Sequence, residues 1–320
     1  MLKAVILFAI GLVMLIKGGD WFVDGATGIA HSFQVPELLI GATVVSIGTT
    51  LPEVMVSATS AINGHGEIAY GNAIGSVICN TALIAALTIA IKPSEVNKKS
   101  LITPVSFFFG AAIVYSFGAY ILGEYSRTIG LILLAIFVVY MVILIISAIK
   151  GEPEKIQGEE IDIKPLWQYL LPLILGAAVI AIGADLLVDN GTIIAKELGV
   201  PESVIALTFV ALGTSLPELV TAITALAKGH SSLSLGNIIG ANLFNLVFVS
   251  GLSITLNPFN LPTEKTIAGM NASLVVDIPV MFLVMIIMTI PAIIKGRLSR
   301  WQGILLLAIY TAFVTFQFIG

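Results

Sequence analysis

Gly48-Thr49-Thr50-Leu51-Pro52-Glu53 returns later in the chain as Gly213-Thr214-Ser215-Leu216-Pro217-Glu218. The offset of 165 residues holds without a gap from Asp20/Asp185 and Asp24/Asp189, through Val35-Pro36-Glu37 and Val200-Pro201-Glu202, to Gly71-Asn72 and Gly236-Asn237, and on to Asn80/Asn245. The chain is therefore a tandem duplication. Each copy places one glutamate inside an apolar stretch, where a charge is costly and marks function. Two such carboxylates point to a buried cation site.

Of the 320 residues, 58% are hydrophobic and 11% are charged, and the mean hydropathy is +1.05. These values describe a multi-pass helical membrane protein. The net charge of −4 leaves no footprint for nucleic acid. A single cysteine, Cys79, excludes a disulfide framework or a thiolate metal cluster. His65 and His230 fall at equivalent positions in Gly-rich turns and are expected to be solvated loop residues, not zinc ligands. No nucleophile–base pair suggests an intramembrane enzyme, so neither catalysis nor a cofactor is expected. The apolar segment 4–16 reads as an uncleaved first transmembrane helix.

Apolar runs fall near residues 2–31, 37–62, 68–91, 101–122 and 128–149, then near 166–196, 202–227, 233–256, 268–293 and 300–319. The expected fold is all-α: ten transmembrane helices in two five-helix repeats, spanning 1–149 and 166–320. The hydrophilic stretch 150–165 joins them as a solvated linker, and its carboxylates lack EF-hand spacing. An odd number of spans per half turns the second half upside down, and inverted repeats bring equivalent motifs face to face near the bilayer midplane. With the N-terminus outside, the cytoplasmic loops hold Lys92, Lys98, Lys99, Lys150, Lys155, Lys164, Lys228, Lys295, Arg297 and Arg300. The outer side then holds only Lys3, Arg127, Lys196 and Lys265. Under the positive-inside rule this predicts a cell-membrane protein with both termini extracellular and the 150–165 loop cytoplasmic.

Pro52 has no amide hydrogen, and its ring collides with the carbonyl of Gly48. The second helix is therefore expected to break between Gly48 and Pro52, and the seventh between Gly213 and Pro217. Carbonyls freed in a membrane need partners, which a cation can supply. The hydroxyls of Thr49, Thr50, Thr214 and Ser215 add neutral oxygens, and Glu53 and Glu218 add charge. Such ligands suit hard cations like calcium and sodium. Asn72, Ser76 and Asn80 line one face of the third span; in the eighth the face reads Asn237, Ala241 and Asn245, one hydroxyl fewer. Asp20, Asp24, Asp185 and Asp189 either line an aqueous route or sit as solvated interfacial charges, the latter being favoured. Asp277 has no counterpart in the first half.

With GTTLPE followed by GSVICN, and GTSLPE followed by GANLFN, the chain resembles the cation/calcium antiporter superfamily, most closely its sodium/calcium exchanger family. The resemblance covers both repeats. It implies alternating-access exchange of sodium for calcium, with the long first and sixth helices sliding against a core of the other eight. It also implies that Glu53 and Glu218 hold calcium with backbone oxygens of Thr49 and Thr214. Sodium would share those carboxylates and use Thr50, Ser215, Ser76 and backbone oxygens of Ser46 and Ala211, with Asn80 and Asn245 as polar neighbours. Ala241, where many members carry a hydroxyl, weakens the sodium site on that side. Asn245 is aspartate in some branches, including the potassium-dependent one. The chain also lacks the acidic residue that usually follows the Gly-Asn pair in proton/calcium exchangers, which remain the nearest alternative. A cation channel is a more distant one. The implied partners are calcium and sodium ions and the lipid bilayer, with no nucleic acid and no obligate protein partner.

Overall fold

The computed structural model describes residues 2–150, 165–198, 213–263 and 266–319. Taking each continuous α–π run as one helix, the described residues form ten: α1 Leu2–Ser32, α2 Glu37–Ile62, α3 Gly66–Ile91 and α4 Lys98–Leu122, α5 Arg127–Lys150, α6 Trp167–Glu197, α7 Leu216–Ala227, α8 Ser231–Leu256 and α9 Ser273–Lys295, and α10 Arg300–Ile319. Eight of them are long and apolar enough to cross a membrane. At about 1.5 Å rise per residue, the 20 residues of α10 also match a hydrocarbon core. Large apolar side chains such as Val13, Ile113, Ile145 and Ile174 remain exposed on the helix surfaces. That suits a solvent of acyl chains, which costs such side chains nothing. The proposed linker lies almost wholly outside the described residues.

Inversion shows in the loops. The α4–α5 loop forms β1 (Glu124–Tyr125), which pairs antiparallel with β2 (Phe259–Asn260) of the α8–α9 loop. At the other end of α4, Glu95 bridges to Arg297 in the α9–α10 loop. Asn260 and Glu95 are equivalent under the 165-residue offset. The same loop therefore makes the same kind of backbone pairing on opposite faces. A second short hairpin, Thr266–Ile267 with Met270–Asn271, decorates the β2 face.

The interior divides into two main apolar clusters. The larger draws mainly on α3, α4, α5, α8, α9 and α10, including Tyr115, Tyr140, Phe244 and Met285. The smaller joins α1 to α6 and to the near sides of α2 and α7, through Leu15, Phe22, Leu173 and Ile180. The α1–α6 pair is held very close: a Cβ on Gly11 would lie 2.8 Å from the Gly183 carbonyl, and one on Gly18 would lie 3.0 Å from that of Gly176. Small residues let helices approach where no water drives association.

The expected helix breaks are met in one copy and displaced in the other. In the second half, Thr214 and Ser215 form a turn and α7 begins at Leu216. Pro217 sits in the first turn, where its missing N–H costs nothing. In the first half, the helix runs unbroken through Pro52 from Ser46 to Ile62. The irregularity lies upstream, as a π-turn over Gly41–Val45. Its loosened carbonyls are taken by side chains: Ser46 Oγ donates to Gly41 O at 2.7 Å and Tyr140 Oη to Ala42 O at 3.1 Å.

Candidate functional site

Glu53 on α2 and Glu218 in the first turn of α7 are both 0% exposed. They lie within electrostatic reach of each other. Glu53's two carboxylate oxygens have no hydrogen-bond partner among the described residues, and Glu218's have only the Thr49 hydroxyl close by. Asn80, on a stretch of α3 packed against α7, and Asn245, on a stretch of α8 packed against α2, are equally buried, and both polar atoms of each side chain are unpartnered; the Ser215 hydroxyl, also buried, lies by the Cys79 thiol. Buried polar groups of a native fold almost always have partners. A concentration of acceptors left open around two buried carboxylates is an arrangement that a bound cation completes.

The asparagines are placed by a device with no visible signature in the sequence. Asn80 opens a π-turn over Asn80–Ala85, and Asn245 opens one over Asn245–Val249. Ser250 Oγ donates to Asn245 O at 2.9 Å, five residues back, just as Ser46 serves Gly41 in α2. Inserted π-turns re-aim side chains and gather at functional sites.

Backbone approach brings the halves together. A Cβ on Gly236 would lie 2.2 Å from Leu38 O, and one on Gly240 would lie 2.2 Å from Ser46 Oγ and 2.6 Å from Ala42 Cα. Only glycine permits α8 to cross α2 at that distance. The crossing lets Thr49 Oγ1 donate to Asn237 Oδ1 at 3.1 Å, and Ser46 Oγ to Asn237 O at 3.0 Å. Thr214 Oγ1 in turn donates to Asn72 Oδ1 at 3.3 Å. Thr50 Oγ1 donates back to Ser46 O at 2.5 Å, and Ser76 is buried on α3. Of the sequence-derived residues, Ser46, Thr49, Thr50, Ser76, Asn80, Ser215 and Asn245 are buried, as Glu53 and Glu218 are, Thr214 is half-buried, and Ala211 lies outside the described residues. Cys79, given no role by the sequence, lies within electrostatic reach of Glu53, Glu218 and Ser215. Its place one residue before Asn80 was the available signal.

A cavity of about 800 Å³ lies beside this locus, between α2, α6 and the start of α7. Gly48, Pro52, Thr214 and Pro217 line it, together with Asp185 and Asp189 of α6. These two aspartates are exposed and line this cavity, so the solvated reading and the lining reading hold together for this pair. Their counterparts Asp20 and Asp24 do something else: Lys228 Nζ, in the α7–α8 loop, lies 2.6 Å from Asp24 Oδ1 and 3.5 Å from Asp20 Oδ1. The histidines part company in the same way. His65 stays in solvent beside Glu67. His230, expected to be a free loop residue, instead contacts Glu37 Oε1 through Nδ1 at 2.7 Å, and His31 Nε2 reaches the same oxygen at 3.5 Å. The hydrogen bond from its ring N–H to Glu37 raises the pKa of His230, against the opposing effect of its burial. Asp277, unexplained by the sequence, accepts from Gln317 Nε2 at 2.9 Å.

Known proteins match this arrangement along its whole length. The family described as sodium/calcium exchanger protein matches residues 3–146 and again 168–319. The sodium/calcium exchanger MaX1 of Methanosarcina acetivorans is 29% identical over 352 residues, covering 98% of each chain. The inner membrane protein YrbG of Escherichia coli is 33% identical over 265 residues, covering 81% of each. A solved structure of the sodium-calcium exchanger NCX_Mj, soaked with sodium and calcium, superposes with a TM-score of 0.80 at 31% identity, covering 98% of both chains. The fold, the duplicated motif and these matches agree: the chain belongs to the sodium/calcium exchanger family.

Proposed function

We propose that this protein exchanges sodium for calcium across a membrane by alternating access, and that Glu53 and Glu218 hold the transported ions. The observation that carries this reading is the pair of facing carboxylates, wholly buried, with no cationic partner among the described residues and only the Thr49 hydroxyl beside one of them. Backbone oxygens of Thr49 and Thr214 complete the calcium site. Sodium shares the carboxylates and adds Thr50, Ser215, Ser76 and the backbone oxygens of Ser46 and Ala211, with Asn80 and Asn245 beside them. Residues 1–149 and 166–320 act as the two repeats, joined by the 150–165 linker. The N-terminus lies outside, so that Lys228 and His230 face the cytoplasm and the cavity beside Asp185 and Asp189 faces out.

Charge makes the exchange obligatory. One calcium or two sodium ions neutralise the two carboxylates, and a neutral site can pass the low-dielectric barrier between gates. An empty site carries two uncompensated charges and resists closure. Calcium-45 uptake into sodium-loaded proteoliposomes tests the assignment. Glu53→Gln and Glu218→Gln each abolish it. Wild-type rates in either variant remove these residues from the mechanism, and uptake driven by a pH gradient without sodium moves the protein to proton coupling.

A further inference from the structure

Asn72 and Asn237 occupy equivalent positions on α3 and α8, and neither belongs to the ion-ligand set above. Each reaches across the repeat boundary. Asn237 Oδ1 accepts from the Thr49 hydroxyl at 3.1 Å, and Asn72 Oδ1 accepts from the Thr214 hydroxyl at 3.3 Å. Asn72 also works within its own half: its Nδ2 donates to Ser57 Oγ at 2.8 Å and to Glu53 O at 3.2 Å. One amide thereby ties the backbone of one glutamate to the threonine beside the other. We propose that Asn72 and Asn237 are positioning residues that join the two half-sites, fixing Thr49 and Thr214 so that their backbone oxygens and the two carboxylates meet one ion together. This deepens the ion-site reading above and rests on it.

At Asn72 the chemistry requires an amide. The oxygen must accept from a threonine hydroxyl while the nitrogen donates to a backbone carbonyl, and no other side chain of this length does both. Aspartate would keep the acceptor, lose the donor and add a charge. Glutamine adds a methylene where Gly236 and Gly240 already bring α8 against α2. Asn237 is 0% exposed, yet its Nδ2 has no partner among the described residues, because Ala222 stands where Ser57 serves Asn72. Asn237 is thus the less constrained of the two, held chiefly through Thr49, and that pair is where the coupling is best measured.

The experiment is a double-mutant cycle on purified wild-type protein, Thr49→Val, Asn237→Leu and the double variant. Calcium-45 binding at equilibrium gives the half-saturation, proteoliposome exchange gives the maximal rate, and Glu218→Gln is the control. Each single change is expected to raise the calcium half-saturation about fivefold, as for loss of one buried hydrogen bond. The maximal rate changes much less. The double variant falls short of the sum of the singles, because both remove one shared interaction, and Thr49→Val exceeds Asn237→Leu by what the Thr49 hydroxyl gives directly to Glu218. Thr49→Ser restores wild-type binding. If Asn237→Leu does not fold, Thr214→Val reports on the reciprocal pair with an isosteric change. Additive effects, or unchanged half-saturation in folded Thr49→Val and Thr214→Val proteins that retain binding lost in Glu218→Gln, overturn the positioning role alone. Failure of the wild type to bind calcium overturns the ion-site reading and this proposal with it.

Discussion

The two half-sites share their acids and differ in their neutral oxygens. Around Glu53 the first repeat has Ser46, Ser57 and Ser76, where the second, around Glu218, has Ala211, Ala222 and Ala241. Three hydroxyls are present on one side and missing on the other, against one gained by the second half, the buried Thr221 where the first has Val56. In the structure Ser46 bonds Gly41 and Asn237 across the α2–α8 crossing, and Ser57 anchors Asn72. Duplication therefore supplies two equal charges but one well-tethered half and one sparser half. A divalent ion that takes most of its binding energy from carboxylates draws on both halves. A monovalent ion depends more on hydroxyl and carbonyl dipoles and draws mainly on the first.

The largest expected effect comes from changing the charge balance between the halves. Asn245→Asp places a third carboxylate on the sparser side. A charge added within a few ångströms of a desolvated cation raises its retention by about tenfold or more, so calcium binds tighter and turnover slows. Equilibrium calcium-45 binding and exchange rates in proteoliposomes check this. Unchanged affinity and rate mean that Asn245 does not face the ion.

Exchanging the hydroxyls gives a smaller effect with a directional signature. Ser76→Ala makes the first half resemble the second, and Ala241→Ser does the reverse. Sodium half-saturation is expected to rise about threefold in the first variant and to fall or hold in the second, with calcium half-saturation moving less in both. Sodium-dependent calcium efflux measured over a sodium series separates these outcomes. Equal shifts for both ions remove the distinction between the halves.

Much of this was legible in the sequence because duplication reads the site twice. A lone Gly-Thr-Thr-Leu-Pro-Glu suggests a kink; its return after 165 residues, with Asn80 and Asn245 in step, locates a site. Local backbone detail was less legible. Pro52 and Pro217 share a motif, but the structure carries one inside a helix and the other at a helix start. Propensity gives the cost of a proline but not the π-turn upstream at Gly41–Val45, whose carbonyls Ser46 and, from a distant helix, Tyr140 take up. The π-turns at Asn80 and Asn245 were hidden for the same reason. Equally, the fates of Asp20 and Asp185 depend on Lys228, whose equivalent in the first half is Asn63.

That last substitution makes the two faces of the molecule unequal. Lys228 joins the core to Asp20 and Asp24 of α1, whereas Asn63 offers no charge to α6. If α1 and α6 slide together, only the face with Lys228 gains an ion pair when shut. Asp24 is 61% exposed in its side chain, so solvent screening limits the pair to about 1 kcal/mol or less, a shift of about fivefold or less between conformers. Lys228→Ala is expected to weaken calcium half-saturation on the cavity side of oriented proteoliposomes by no more than that, and 0.5 M salt to remove the difference between wild type and variant. A difference that persists in high salt assigns the effect to packing and not to charge.

The smallest effect concerns His230, on the same face. Its pKa is raised chiefly by the hydrogen bond to Glu37. A histidine with a raised folded-state pKa contributes stability that is fully present below its unfolded value of about 6.5 and is lost as pH rises through the folded value. The melting temperature in detergent is therefore expected to decline by a few degrees at most as pH is raised from about 6 through the raised value. His230→Gln, which keeps a donor for Glu37 but cannot titrate, is expected to flatten that slope without altering the sodium requirement. His65, exposed beside Glu67 in the equivalent turn, supplies the comparison, because His65→Gln leaves the contact between His230 and Glu37 in place. An equal loss of slope in both variants assigns the pH dependence to something common to the two turns and removes the contact between His230 and Glu37 as its cause.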